Sequence, residues 1–149
     1  MGEILDFLKE FDIAKFLPEM PVFEQQLAGW LRFFLLVGPL VMAGMGAWFY
    51  FAPPQNPNYG LGFRTRRSMS SGAAWSYAQR VGGMVYMVLG GGLAVLSLVL
   101  SLFFGLMSPV TMALVALLCA FVQALLALGA FILVESLLHK HFDADGDRI

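Results

Sequence analysis

Three long apolar runs dominate the chain, at residues 27–51, 81–104 and 110–138. A helix needs roughly 20 residues to cross the hydrocarbon core of a bilayer, so each run is long enough to span one. The middle helix is expected to begin ahead of its apolar run, near Ser71. Pro39 is expected to bend the first span, and Pro53-Pro54 to end it, because proline lacks an N–H and its ring clashes with the preceding turn. The link at 105–109 is short, which predicts a tight antiparallel hairpin of the second and third helices. Ahead of the spans, Ile4, Phe7, Leu8 and Phe11 recur at helical spacing with Asp6, Lys9 and Glu10 between them, and Pro18 and Pro21 follow. That pattern predicts an amphipathic helix over 2–17, lying in the membrane interface or docking a partner. The expected fold is therefore all-α: an integral membrane three-helix bundle over 27–138 with a loop at 53–75, an N-terminal interfacial helix and a polar tail at 139–149.

Composition sharpens this. Of 149 residues, 59% are hydrophobic and 13% charged, about half the charged share of a soluble domain. A disordered chain and a disulfide scaffold are excluded, and the composition argues against a water-soluble domain. The ten acids all fall before Gln25 or after Val134; between those positions the charges are Arg32, Arg64, Arg66, Arg67 and Arg80. So small a basic cluster is no nucleic-acid surface. Cys119 is the one cysteine and forms no intrachain disulfide. The first 20 residues, acidic and amphipathic, are no signal peptide. With three spans, Arg64, Arg66, Arg67, Arg80, Lys140 and Arg148 share one side, against Lys9, Lys15 and a snorkelling Arg32. The positive-inside rule then puts the N-terminus outside and the C-terminus inside, in a bacterial inner membrane.

Gly90, Ala94, Ser97, Ser101 and Gly105 on the second helix recur at spacings of three and four, as do Ala113, Ala116, Ala120, Ala124 and Ala127 on the third. In lipid, small residues let helix backbones approach. The two stripes are expected to face each other or another subunit; the plainer alternative is that Ala and Gly are common in membrane helices. Gln123, in mid-helix, is expected to bond across helices.

The segment 53–75 is long for so economical a protein. It carries the turn formers Asn56-Pro57 and Asn58, then Gly60 and Gly62, then Arg64 beside Thr65. A guanidinium forks onto carboxylate or phosphate, so Arg64 is a candidate grip for a lipid headgroup or a peptide carboxylate. The bland alternative is that these arginines satisfy the positive-inside rule and touch phosphates nonspecifically. Trp75 and Gln79 lie one turn apart on one helix face, followed by Gly82, Gly83 and Tyr86, a face placed to close over the loop. Trp75 could equally be an interfacial belt residue.

Asn58, Gly62, Arg64, Thr65, Ser68 and Trp75, in that order and at approximately that spacing, resemble the signature of the SdpI family, bacterial membrane proteins named for immunity to a secreted killing-factor peptide. Arg66 stands where that family often has Pro, and Gln79 where it often has Asn. The named immunity protein carries additional helices ahead of this module. The resemblance spans roughly residues 40–138 and implies a three-helix core with an ordered Arg64 loop. It also implies protection against a membrane-active peptide, with recruitment of a cytoplasmic regulator.

Glu135 is the one carboxylate within a predicted span, and such groups are costly unless paired. Arg64 or Arg80 is its expected partner; the alternative is snorkelling to water beside Lys140. In the tail, Asp143, Asp145 and Asp147 imitate the start of a calcium loop, but Arg148 replaces its glycine and the bidentate Glu is missing. A frayed, solvated tail without metal is expected. The loop offers Arg, Tyr, Ser and Thr but no group suited to acid–base work, so no enzyme and no cofactor is expected. One Gln and a few hydroxyls make no polar transport route without oligomerisation. The remaining classes are a membrane binding protein, with a peptide, lipid or regulator as partner, and an accessory subunit of a larger membrane complex.

Overall fold

The computed structural model describes residues 20–55, 57 and 60–149. The expected helix over 2–17 and Asn58 lie outside these. Helix α1 runs Met20–Phe51, α2 Gly72–Leu102 and α3 Pro109–His141, with a short 3-10 turn at Phe104–Leu106. All three helices are long and apolar enough to cross a membrane. Their ends follow local chemistry. Ser71 accepts the Ala74 N–H at the start of α2, and Ser108 accepts the Thr111 N–H at the start of α3; a serine oxygen there satisfies a backbone donor the helix cannot. α1 ends just before Pro53-Pro54.

Helix pairing differs from the expected hairpin. The closest partners are α1 and α2, joined through glycines. A methyl group at Gly46 would collide with backbone atoms of Gly83, Tyr86 and Met87, and one at Gly83 with Gly46, Phe49 and Tyr50. Gly90 likewise abuts Pro39 and Ala43 of α1, so it faces α1 and not the alanine stripe of α3. Lipid tails supply no hydrophobic force between helices, so the pair that brings backbones closest packs best. Ser97 and Ser101 are buried and Ala94 half-buried. Ala116 is buried against Ala28, Leu35, Phe104 and Met112. Ala113, Ala120 and Ala124 remain exposed, so the two small-residue stripes do not meet along their length.

Polar bonds tie the third helix in. Pro39 has no N–H to offer the carbonyl of Leu35, four residues back. The Gln123 Nε2 of α3 donates to that carbonyl at 3.3 Å and to Ser97 Oγ of α2 at 2.8 Å. Gln123 therefore serves three helices at the point where proline opens the α1 ladder. Near the other end, Arg32 Nε donates to the Ser101 carbonyl at 3.2 Å, among the last carbonyls of α2, which lack helical donors.

A Gln123→Leu variant should lose about 1–2 kcal/mol in a detergent unfolding titration. The loss should shrink in a Pro39→Ala background, where residue 39 regains its own N–H for Leu35. Equal losses in both backgrounds would show that Gln123 does not serve this carbonyl.

Candidate functional site

The described residues between α1 and α2 fold back on the start of α2. Trp75 is fully buried and its Nε1–H donates to the Pro54 carbonyl at 2.7 Å. One turn on, Gln79 is also fully buried and clamps Phe63 from both sides of its backbone. Its Oε1 accepts the Phe63 N–H at 2.8 Å and its Nε2 donates to the Phe63 carbonyl at 3.1 Å. Gly62, directly before Phe63, has φ +126, a left-handed value that favours glycine. A methyl group there would meet Gln79 Oε1 and the Trp75 ring.

Thr65 and Ser68 close the next turn reciprocally. The Thr65 N–H donates to Ser68 Oγ at 2.8 Å, and the Ser68 N–H to Thr65 Oγ1 at 3.1 Å. The Ser68 hydroxyl lies 2.9 Å from the Phe63 carbonyl and 3.0 Å from that of Thr65. The Phe63 ring points inward, with its centroid 4.7 Å from that of Phe131, among Ala74, Ala78, Val134 and Leu138.

The residues expected to contact a ligand thus divide. The side chains of Ser68, Trp75 and Gln79 are buried and committed to the loop's own backbone. Thr65 closes a turn and Gly62 supplies room. These five are positioning residues. Arg64 is exposed and lines a cavity of about 830 Å³ together with Gly62, Phe63, Gly82, Gly83 and Tyr86. The remaining walls come from α1 and α3, including Phe34, Gly38, Phe49, Ala120, Ala124 and Ala127.

The other arginines go elsewhere. Arg67 donates to the Phe142 carbonyl at 2.5 Å and lies 3.4 Å from His139 Nε2. Arg80 is exposed and lines a separate cleft with Phe51, Pro54, Gln55 and Tyr77. Glu135, expected to pair with Arg64 or Arg80, has its Oε2 buried and without a hydrogen-bond partner among the described residues. The bonds that Gln79 and Trp75 make to the loop backbone involve no carboxylate. A Glu135→Leu variant should therefore melt no lower than the parent, with a gain of up to about 1 kcal/mol from removing an unsatisfied buried oxygen. A clear loss in thermal unfolding would restore the pairing idea.

The tail corrects another expectation, because it is not frayed. Phe142 is buried with Phe63, Ala74, Ala78, Val134 and Leu138. Asp143 Oδ1 accepts the N–H groups of Asp145 and Asp147 at 3.0 and 2.8 Å. A short antiparallel bridge then joins Phe142 to Arg148. The aspartate series builds a turn, as Asp side chains do when they bond backbone two residues on. Among the described residues no group of three His, Cys, Asp or Glu is placed to hold a metal ion. The Gly146 carbonyl accepts from Ser71 Oγ at 2.7 Å, so one serine both caps α2 and fastens the tail. The tail role of Arg67 and the inward plug of Phe63 carry no local sequence signal; Ser71 ahead of an apolar helix does.

Residues 55–134, covering most of this loop, all of α2 and most of α3, match the SdpI/YfhL protein family. The chain belongs to that family. No curated protein and no solved structure matches it. In this SdpI/YfhL member the matched segment begins inside the loop and ends next to Glu135, so α1 and the tail, whose Phe142 packs with Phe63, lie outside the matched residues.

Proposed function

We propose that this SdpI/YfhL-family membrane protein is a binding protein that presents Arg64 at the cytoplasmic interface to an anionic group. That group belongs to a peptide, a lipid headgroup or a regulator. In this reading the chain protects a bacterial inner membrane from a membrane-active peptide, as the family's name-giving protein does. The observation that carries the reading is the division of labour in the loop. Gly62, Thr65, Ser68, Trp75 and Gln79 hold the backbone, while Arg64 is exposed at the rim of a cavity. So much order around one guanidinium prepares it to bind without a large ordering cost. The reading is one of binding, since guanidinium and hydroxyl groups are poor general acids and bases near neutral pH.

Arg64→Gln should lower survival under a membrane-active peptide toxin and weaken binding about tenfold or more, as expected for loss of a charge-assisted contact. The exposed neighbour variant Arg66→Gln should change either far less. Survival of Arg64→Gln at the parent level would end this reading. A second reading, an accessory subunit of a larger complex, draws on the exposed Ala113, Ala120 and Ala124. It requires a stoichiometric partner on purification in mild detergent.

A further inference from the structure

The cavity beside Arg64 has a shape as well as a charge. Its α1 wall runs from Phe34 to Phe49, a rise of about 22 Å along a helix. That stretch lies within a helix long and apolar enough to cross a membrane, and the slot pairs a mostly apolar lining with a cation at one end. An amphiphile with a hydrocarbon chain and an anionic headgroup matches that arrangement in both parts. The slot exists because Gly38 and Ala124 present no bulk from its two sides. A methyl group at Gly38 would meet only Gln123 Oε1, at 3.8 Å. Gln123 Nε2 is already engaged with Leu35 and Ser97, the lining is otherwise mostly apolar, and it carries one cation, Arg64, at its loop end.

We propose that the slot between α1 and α3 takes an acyl chain of an anionic phospholipid, with the phosphate headgroup on Arg64. This rests on the binding role assigned above to Arg64 and names its partner. A guanidinium forks onto phosphate, and the chain below the headgroup then lies along Gly38, Val41 and Ala124.

Native mass spectrometry of the full chain in mild detergent tests it. The probes are 1-palmitoyl-2-oleoyl phosphatidylglycerol and the phosphatidylcholine with the same chains. The parent protein should retain the phosphatidylglycerol about tenfold better. Arg64→Gln should erase that preference, and Ala124→Trp, which fills the slot, should lower retention of both lipids. Leu117→Trp, exposed on α3 and outside the slot, should retain both. Should Ala124→Trp melt below the parent, Val41→Trp on the α1 wall carries the same comparison. Retention of phosphatidylglycerol at the parent level with the slot filled would overturn the lipid assignment, and loss of toxin survival in Arg64→Gln would then still support the binding role. Parent-level selectivity and survival in Arg64→Gln would overturn both. Stoichiometric displacement of the lipid by a 20-residue Leu-Ala helical peptide would place a helix in the slot and also overturn the assignment.

Discussion

Gln79→Leu should release the loop that carries Arg64 while leaving the three helices in place. Leucine nearly conserves volume, so the change removes two hydrogen bonds and little packing. The Phe63 N–H, paired to Gln79 Oε1 at 2.8 Å in a buried setting, would lose its acceptor. The Phe63 carbonyl would keep only the Ser68 hydroxyl at 2.9 Å. An unsatisfied buried donor costs about 1–3 kcal/mol, and the loop can avoid that cost by lifting Phe63 away from Phe131. Trypsin reads this directly, since Arg64, Arg66 and Arg67 are all potential cleavage sites within the loop. Cleavage should accelerate about tenfold or more, because 1.4 kcal/mol is a factor of ten in the open population. Helical circular dichroism should hardly change. Toxin survival should fall as in Arg64→Gln although residue 64 is untouched. Cleavage at the parent rate would mean that Gln79 does not hold the loop.

Gly83→Leu should separate α1 from α2. A Cβ at position 83 would sit 2.6 Å from the Tyr50 nitrogen and 2.8 Å from the Gly46 carbonyl oxygen. Both are backbone atoms inside a helix and cannot swing aside as a side-chain tip can. The helices must move apart, and Gly46 and Gly90 then lose their close contacts as well. Overpacking of this kind costs about 1–3 kcal/mol and sometimes more; alanine should show the lower end and leucine the upper end or beyond. Gly92→Ala gives the contrast, because a methyl group at Gly92 meets nothing within 4 Å. Its unfolding in a detergent titration should match the parent or improve slightly, since alanine is the better helix former. If Gly83→Ala and Gly92→Ala unfold alike, the close approach of α1 and α2 is not what holds the bundle.

The loop was partly legible in the sequence. Its boundaries, its turn formers and the Trp75–Gln79 face could be read from residue types and helical spacing. What those residues do could not. Trp75 and Gln79 are as compatible with a ligand surface as with an inward clamp until their acceptors, Pro54 and Phe63, are placed. Likewise Arg64 and Arg67 have the same chemistry and stand three apart, yet one lines the cavity and the other reaches Phe142, 75 residues away. Charge in a span needs compensation, but the sequence does not say which group supplies it for Glu135, whose Oε2 is buried. The polarity of the tail likewise suggests solvation, whereas Phe142 anchors it and Asp143 organises its turn.

By itself the sequence determined that this protein is three membrane-length helices with an arginine-bearing loop between the first two. Transfer of apolar side chains out of water, helix length and proline placement act locally, so they can be read along one chain. The tertiary structure alone decided that α1 pairs most closely with α2, that a slot opens between α1 and α3, and that Arg64 stands at its end. Those outcomes depend on how near two backbones can come at Gly46 and Gly83. They also depend on bonds such as Gln123 to Leu35, between residues 88 apart. Where lipid removes the hydrophobic drive between helices, such close contacts choose the partners, and no single segment contains them.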